Sequence, residues 1–356
     1  MSQKHITNKM GAPLGWRPSV DTAGNENLWN LRSPSDMDVQ EIVIAHYKTN
    51  AGEKHKTPED VLEERGYNTK TMAQIGRGSF GIVYKLRRYD SKTEWYAMKT
   101  TEVPRRRTGE ESMSYVKNEL VVMRDARHPN IIQLMESFRI NDRIYIVMEL
   151  ADGRTLSDYV RKDGPLGEEE SRTLFTQVVS GVAHMHSLNF SHRDLKLSNV
   201  LLTKTMQVKI CDFGLARISY LNNRGIRFID QWAGTEPYMA PEIIRIRVRG
   251  PGYLYNPLAT DVWALGVIIY AMLHRSLPFM MRDVDDDDKV AKAKERERIY
   301  RRQRRMVYPV SSDLDDQVKD LIEQCLDPDP FKRITAKNIL IHPWMTENKF
   351  VNLHTL

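Results

Sequence analysis

Apolar and polar residues follow one period in the first part of the chain and another in the second part. Stretches with the apolar patterning of β-strands, bounded by turn residues, occur at 75–84, 95–99, 132–138 and 143–150. From Leu156 onward the spacing becomes helical, and the segment from Glu168 to His186 carries one apolar stripe, made of Leu174, Val178, Val182 and Met185. The pattern predicts an α+β chain, with a small β-rich lobe followed by a larger α-helical lobe.

The same pattern divides the chain into segments. The first 55 residues are mostly polar with scattered Gly, Pro and Asn, which is typical of a flexible extension, although Asp38–Tyr47 predicts one short ordered element. Thr57 and Pro58 predict a capped helix start, and Gly66 predicts the end of that helix. The predicted organisation is an extension over 1–55, a short helix over 56–66, a first lobe over about 67–150, a second lobe over about 151–345, and a tail over 346–356.

The bulk composition restricts the class of protein. The chain has 356 residues, of which 41% are hydrophobic and 28% are charged, with a net charge of +6. Cys211 and Cys325 lack the spacing of a disulfide framework or a zinc site, which favours a reduced intracellular protein. No N-terminal apolar signal and no run of about 18 apolar residues is found, so we expect a protein that is neither secreted nor membrane-spanning. Its expected location is intracellular, in the cytoplasm or alternatively in the nucleus.

One polar stretch, Phe190–Leu202, contains residue types that suit catalysis. Asp194 can accept a proton from a hydroxyl, Lys196 can hold a transferring phosphate, and Asn199 and Asp212 offer the hard oxygen ligands that Mg²⁺ takes. A polar turn followed by two strands is the alternative, because single Asp and Asn residues are usually turn formers. The order and spacing of these polar residues favour the catalytic interpretation.

That spacing, His-Arg-Asp-Leu-x-x-x-Asn at residues 192–199 and Asp-Phe-Gly at 212–214, resembles the catalytic loop and metal-binding motif of eukaryotic protein kinases. Ala-Pro-Glu at 240–242 is similar to the motif that closes the kinase activation segment. The resemblance covers residues 67–345 and implies a two-lobed protein kinase fold. It also implies ATP and Mg²⁺ as cofactors, transfer of the γ-phosphoryl group to a hydroxyl, and proteins as substrates.

A glycine-rich turn at residues 76–81 opens the first lobe. A lone G-x-G-x-x-G occurs in many hairpins and dinucleotide folds, but a strand on each side argues against a dinucleotide fold. By the resemblance, this turn covers the phosphates, Lys99 with its partner Glu119 binds them, and residues 148–151 form the hinge beside adenine. Taken singly, the apolar members are more often plain core. The implied nucleotide-site residues are Ile75, Gly76, Arg77, Gly78, Ser79, Phe80, Gly81, Ile82, Val83, Ala97, Lys99, Glu119, Met148, Glu149, Ala151 and Leu201.

The resemblance also assigns the catalytic and metal-binding roles. Asp194 is expected to orient the substrate hydroxyl, with Lys196, Asn199 and Thr235 as the other catalytic residues. The metal ligands are expected to be Asn199 and Asp212. Lys196 and Thr235 resemble the serine/threonine form of the family rather than the tyrosine form.

Further contacts and a subgroup follow from the same resemblance. It pairs Arg333 with Glu242, and it pairs Asp261 with the backbone of the catalytic loop. Within the family, the chain resembles the calcium/calmodulin-dependent group and is most similar to testis-specific serine/threonine kinases. The segments that carry this finer likeness are Val61–Tyr67, Tyr145–Ala151 and Ser276–Phe279.

The segment from residue 289 to residue 305 departs most from the kinase pattern. It holds nine lysines and arginines and follows an acidic run at 283–288. Two interpretations remain open: a solvated helix of mixed charge, or a docking patch for an acidic partner. The basic stretch disfavours nucleic acid as a partner because no aromatic platform lies between the basic residues, and no membrane partner is expected.

Two functional questions stay open at this point. A scaffold with an inactive kinase fold is the alternative to an active enzyme, and loss of a catalytic residue would favour it, but none is lost. Arg193 in the catalytic loop is a cation that pairs with an anion in this family. Asp230 is one candidate for that anion, although it is equally compatible with an ordinary loop acid, and a phosphate on Ser219 or Tyr220 is the other.

Overall fold

The computed structural model confirms the α+β fold with two lobes, and the first lobe is built on one six-stranded sheet. The described residues are 45–47, 57–78, 81–102, 109–219, 221–222, 225–226, 232–250, 254–282 and 287–346. The strands of the sheet are β1 (Ala45–Tyr47), β2 (Tyr67–Gly78), β3 (Gly81–Arg88), β4 (Trp95–Glu102), β5 (Leu134–Ile140) and β6 (Arg143–Glu149). Their order is β1-β5-β6-β4-β3-β2, with β1 and β5 parallel and the other neighbours antiparallel.

Strand β1 belongs to the stretch that the sequence assigns to a flexible extension. It lies at the edge of the sheet, where Ala45 pairs with Phe138 and Tyr47 pairs with Ile140. The short ordered element expected within residues 38–47 is therefore a strand, and the extension is not unstructured throughout. The rest of residues 1–55 and the tail from residue 347 lie outside the described residues.

Helix α1 (Pro58–Glu64) begins where the sequence predicts a capped start. The Thr57 side chain accepts a hydrogen bond from Asp60 N at 3.2 Å, and Thr57 N donates to Asp60 Oδ2 at 2.7 Å. This reciprocal pair satisfies backbone N–H groups that have no partner inside the helix. The buried face of the helix joins a small apolar cluster of the first lobe, which includes Val61, Leu62, Tyr67 and Phe138.

Strands β2 and β3 enclose the glycine-rich turn in the predicted strand–turn–strand order. Gly81 has a φ of +138°, and a Cβ atom at this position would lie 2.1 Å from the carbonyl oxygen of Thr100. Only glycine permits both the backbone angle and this close approach to β4. Ser79 and Phe80, two of the predicted nucleotide-site residues, lie outside the described residues.

Helix α2 (Gly109–Asp125) joins the sheet to the main core through Val116, Leu120 and Met123, and the second lobe is mostly helical. Its helices are α3 (Leu156–Asp163), α4 (Glu168–Ser187), α5 (Pro241–Arg249), α6 (Pro257–His274), α7 (Lys289–Arg304), α8 (Asp316–Cys325), α9 (Ala336–Ile339) and α10 (Pro343–Thr346). Its short strands are β7 (Phe190–Ser191), β8 (Val200–Leu202), β9 (Val208–Ile210), β10 (Arg217–Ile218), β11 (Leu221–Asn222) and β12 (Gly225–Ile226). The predicted apolar stripe of α4 is fully buried, at Leu174, Val178, Val182 and Met185.

Helix α6 lies at the centre of the second lobe. By length and composition alone it could cross a membrane, since its 18 residues have a mean hydropathy of 1.4. However, 83% of it is buried, and a core helix passes the same test. Asp261 interrupts its apolar residues, so the helix is not a continuous apolar run, and the same carboxylate positions the site described next.

Candidate active site

The catalytic loop, residues 192–199, is held in place by α6. Asp261 is 1% exposed, and its carboxylate accepts hydrogen bonds from the backbone N–H groups of His192 and Arg193, each at 2.8 Å. His186 Nε2 lies 3.0 Å from the same carboxylate. A buried carboxylate is tolerated when hydrogen bonds replace its water, so Asp261 anchors the start of the loop. This is the backbone contact that the sequence predicts for Asp261.

Asp194, the predicted proton acceptor, is held by side chains from two segments. Its Oδ2 accepts a hydrogen bond from Lys196 Nζ at 2.8 Å, and its Oδ1 accepts one from Thr235 Oγ1 at 2.7 Å. Lys196 Nζ also donates to Thr235 Oγ1 at 2.9 Å, and Asn199 Nδ2 donates to the Asp194 carbonyl at 2.9 Å. The structure therefore brings the four predicted catalytic residues into one hydrogen-bonded group that fixes the carboxylate.

Gly234 lets Thr235 approach the catalytic loop this closely. It has a φ of +111°, and a Cβ atom there would lie 2.6 Å from the carbonyl oxygen of Arg193. A larger residue would have to push the segment away from the loop. Sequence reasoning did not select Gly234, although its position directly before Thr235 is a signal that could have identified it.

Lys99 lies in the buried part of β4 and has the partner that the sequence predicts. Its Nζ lies 2.7 Å from both carboxylate oxygens of Glu119 on α2, and 3.6 Å from Asp212 Oδ1. Burial would lower the pKa of Lys99, but the neighbouring carboxylates outweigh burial and raise it. Burial also raises the pKa of the Glu119 carboxyl. The pair holds a charged ammonium group beside the predicted metal ligand.

Asp212 has the features expected of a metal ligand. Its backbone is left-handed, with φ 66° and ψ 67°, which a non-glycine residue rarely adopts. Its Oδ1 is buried and accepts no hydrogen bond from the described residues. The Lys99 ammonium group lies 3.6 Å from this oxygen, which is beyond hydrogen-bond distance, so the oxygen can still accept a bond from a metal ion. The N–H group of Cys211, the residue before Asp212, donates to the Asn199 carbonyl at 3.0 Å, so the two predicted ligands lie on neighbouring segments. Their side-chain oxygens are of the kind that Mg²⁺ takes together with phosphates.

The other predicted nucleotide-site residues that the structure describes lie on β2, β3, β4, β6 and β8, except Ala151, which follows β6. Gly76 and Gly78 on β2 and Gly81 and Ile82 on β3 flank the turn, and the side chains of Ile75 and Arg77 are exposed. Three of the apolar residues are paired with another strand or segment. In the sheet, Val83 pairs with Lys99 and Ala97 pairs with Met148. Leu201 forms an isolated β-bridge with Thr155.

The side chain of Glu149, in the predicted hinge, is engaged within the protein. Its Oε1 accepts a hydrogen bond from Gln133 N at 2.7 Å, and its Oε2 lies 2.7 Å from Lys209 Nζ. These contacts tie the end of β6 to β9. Both carboxylate oxygens of Glu149 are engaged, so the predicted nucleotide contact of this residue falls to its backbone.

Arg193 contacts a residue that sequence reasoning missed. Its Nε and Nη2 donate to Tyr255 Oη at 3.1 and 2.9 Å, and its Nη1 donates to the Leu215 carbonyl at 3.3 Å. No sequence motif marks Tyr255, which lies just before α6. Ser219, one candidate phosphate site, is only 1% exposed, whereas Asp230 and Tyr220 lie outside the described residues.

A second missed feature directly follows Thr235. Glu236 accepts hydrogen bonds from Arg296 Nε and Nη2 at 3.1 and 2.8 Å, and it also pairs with Arg247. The Arg247 guanidinium lies 4.2 Å from the ring centre of Trp232, which is 49% exposed. Two cations share one carboxylate here, so the segment that carries Thr235 is tied to both α5 and α7.

The comparisons with known proteins agree with this geometry. The family model described as "Protein kinase domain" matches residues 69–345. "Serine/threonine-protein kinase H1 homolog" of Danio rerio is 35% identical over 332 residues, which cover 90% of this chain and 72% of that protein. "Serine/threonine-protein kinase SRK2F" of Arabidopsis thaliana is 33% identical over 282 residues, covering 79% of this chain and 74% of that protein.

A more distant relative has a similar name. "Serine/threonine-protein kinase cds1" of Schizosaccharomyces pombe is 28% identical over 292 residues, which cover 80% of this chain and 60% of that protein. The family match spans most of the chain and includes both Lys99 and the catalytic loop. The chain therefore belongs to the protein kinase family, among its serine/threonine-protein kinases.

Proposed function

We propose that this protein transfers the γ-phosphoryl group of ATP to serine and threonine hydroxyls of protein substrates in the presence of Mg²⁺. The observation that carries the proposal is the fixed Asp194 carboxylate, hydrogen-bonded by Lys196 at 2.8 Å and Thr235 at 2.7 Å. An inactive scaffold has no need for this arrangement together with the ionised Lys99–Glu119 pair. Retention of all these groups supports catalysis over scaffolding.

In this proposal each residue has a positioning or charge-neutralising role. Asp194 orients the substrate hydroxyl and accepts its proton, while Lys196 compensates negative charge at the transferring group. Lys99 contributes a charged ammonium group to the phosphates, and Glu119 keeps it in place. Asn199 and Asp212 would hold Mg²⁺, which supplies positive charge to the phosphates when it is bound. Such transfer depends mainly on position and charge, and the rigid contacts of the loop provide both.

The proposal is tested by incubating the protein with labelled ATP and three matched acceptor peptides that differ only in Ser, Thr or Tyr. We expect Mg²⁺-dependent labelling of the Ser and Thr peptides only. A phenol oxygen lies farther from the peptide backbone than an alkyl hydroxyl, so one fixed Asp194 position cannot serve both. Labelling that persists with a chelator, equal labelling of the Tyr peptide, or no labelling of any peptide would contradict the proposal.

Metal binding gives a separate prediction that does not depend on catalysis. We expect Asp212→Asn to weaken the binding of ATP in Mg²⁺ by about tenfold, because an amide offers the cation no negative charge. ATP binding in a chelator should be equal in the wild type and the variant. The measurement is the ATP-induced shift in the thermal unfolding midpoint. Asp90→Asn, an exposed acid on the first lobe, is the matched control, and an equal loss in both variants would contradict the prediction.

Three finer assignments complete the proposal. We infer an intracellular location, in the cytoplasm or the nucleus, which is supported by the cysteine usage alone. We also infer a likeness to testis-specific kinases, supported by the segments Val61–Tyr67, Tyr145–Ala151 and Ser276–Phe279. The relatives reported above carry other names, so this likeness rests on the segments. Finally, we infer that the basic stretch at 289–305 binds an acidic partner.

A further inference from the structure

Helix α7 uses one face to support residues 232–242, the segment that carries Thr235, which we call the substrate segment. Gln303 is fully buried, and its Nε2 donates to the Met239 carbonyl at 2.9 Å. On the same helix, Arg296 donates to Glu236, the residue directly after Thr235. Through these two contacts the helix holds Glu236 and Met239, which follow Thr235 in the chain. A protein bound to another face of α7 would therefore contact the helix that holds this segment.

The other face of α7 borders an open groove of about 650 Å³ against the end of α5. Its apolar floor includes Val248, Ala293 and Val307, and Val307 is 52% exposed. Among the residues that the structure describes, no aromatic side chain lines the groove. Exposed apolar groups with a polar rim are typical of a surface that binds another protein.

The rim of the groove carries an excess of positive charge. Five cations line it, against the single carboxylate of Glu297: Lys294, Arg298, Arg301, Arg302 and Arg305. Arg298 pairs with Glu295, and Arg301 pairs with Glu297. The remaining three have no carboxylate partner in the part of the chain that the structure describes. The rim can therefore accept several carboxylates from a partner without breaking an existing ion pair.

We propose that this groove docks an acidic, aliphatic segment of a protein substrate, at a distance from the residue that is phosphorylated. Arginine clusters recognise acidic peptides through charge-assisted hydrogen bonds, and the valine and alanine floor suits aliphatic side chains. The lack of an aromatic ring in the lining disfavours a single-stranded nucleic acid, whose bases need stacking partners. The proposal deepens the proposed function, because it names a substrate feature of the same kinase, and binding can be measured without phosphoryl transfer.

The test uses a fluorescein-labelled peptide in which Glu and Asp alternate with Leu and Val. A matched peptide has Gln and Asn at the acidic positions, and a labelled single-stranded oligonucleotide is the third probe. Fluorescence anisotropy should show binding of the acidic peptide only, with an affinity that falls as salt rises. Lys294→Glu/Arg305→Glu should weaken this binding by about tenfold or more, and Lys294→Gln/Arg305→Gln by less. Both residues are exposed, so thermal unfolding should be unchanged.

Lys332→Glu provides the matched control, because Lys332 is exposed and lies outside the groove. It should leave peptide binding unchanged. Equal affinity of the wild type and the double charge reversal would overturn the proposal, as would equal weakening by Lys332→Glu. Tighter binding of the oligonucleotide that is lost in the double variant would also overturn it, since the groove would then bind nucleic acid. None of these results depends on whether the protein transfers phosphate.

Discussion

Replacing Asp194 with asparagine should lower kcat by a factor of about 10²–10⁴, which is the usual contribution of a positioned proton acceptor. The expected reason is chemical rather than structural. The single carbonyl oxygen of an asparagine can still accept the hydrogen bond from Lys196, and its NH2 group can donate to the Thr235 hydroxyl, which also has acceptor capacity. It cannot take the proton of the substrate hydroxyl at neutral pH. The loop should therefore keep its shape while the reaction slows.

Steady-state kinetics on a serine peptide would measure this change. Comparing kcat with the KM for ATP separates a loss of proton acceptance from a loss of nucleotide binding. We expect the KM for ATP to stay within about twofold, because Asp194 does not bind the nucleotide in this proposal. Asp313→Asn is the matched control, since this exposed carboxylate accepts a hydrogen bond from the neighbouring Ser312 hydroxyl and contacts no predicted site residue among those described. If Asp194→Asn kept more than about a tenth of the wild-type kcat, proton acceptance would have to be assigned to another group.

The long-range pairs of the site could be predicted because each depends on a motif. The order of the motifs in the sequence predicted that Lys99 pairs with Glu119, 20 residues away, and that Arg333 pairs with Glu242, 91 residues away. The structure contains both pairs. Periodicity likewise predicted α4, whose stripe of four apolar residues has one unambiguous buried face.

The packing of α7 could not be predicted in the same way. Its fully buried positions are Glu295, Ile299 and Gln303, of which only one is apolar. The hydrophobic pattern therefore did not show which face packs and which face is free. Glu295 is buried because Arg282 N and the Arg298 guanidinium satisfy its carboxylate, and such partners are visible only in three dimensions. The contact between Tyr255 and Arg193 was missed for the same reason.

The second large effect is expected for stability, at the buried ion pair between Arg333 and Glu242. The Arg333 side chain has no exposed surface, and its Nη1 and Nη2 donate to the two carboxylate oxygens of Glu242 at 2.7 and 3.0 Å. Its Nη1 also donates to the Ala259 carbonyl at 2.7 Å, and its Nε donates to the Asp327 carbonyl at 3.0 Å. This side chain thus joins the end of the substrate segment to α6 and to the loop after α8.

Arg333→Met should lower the free energy of unfolding by about 3–5 kcal/mol, because it leaves the Glu242 carboxylate buried without its partner. Urea unfolding monitored by fluorescence and by circular dichroism would measure the loss. Lys332→Met changes an exposed neighbour in the same way and should have little effect. The double variant Arg333→Met/Glu242→Leu removes both charges, so its loss should be smaller than the sum of the two single losses. A loss below about 1 kcal/mol for Arg333→Met, the value of an exposed ion pair, would contradict the interpretation, and so would additivity in the double variant.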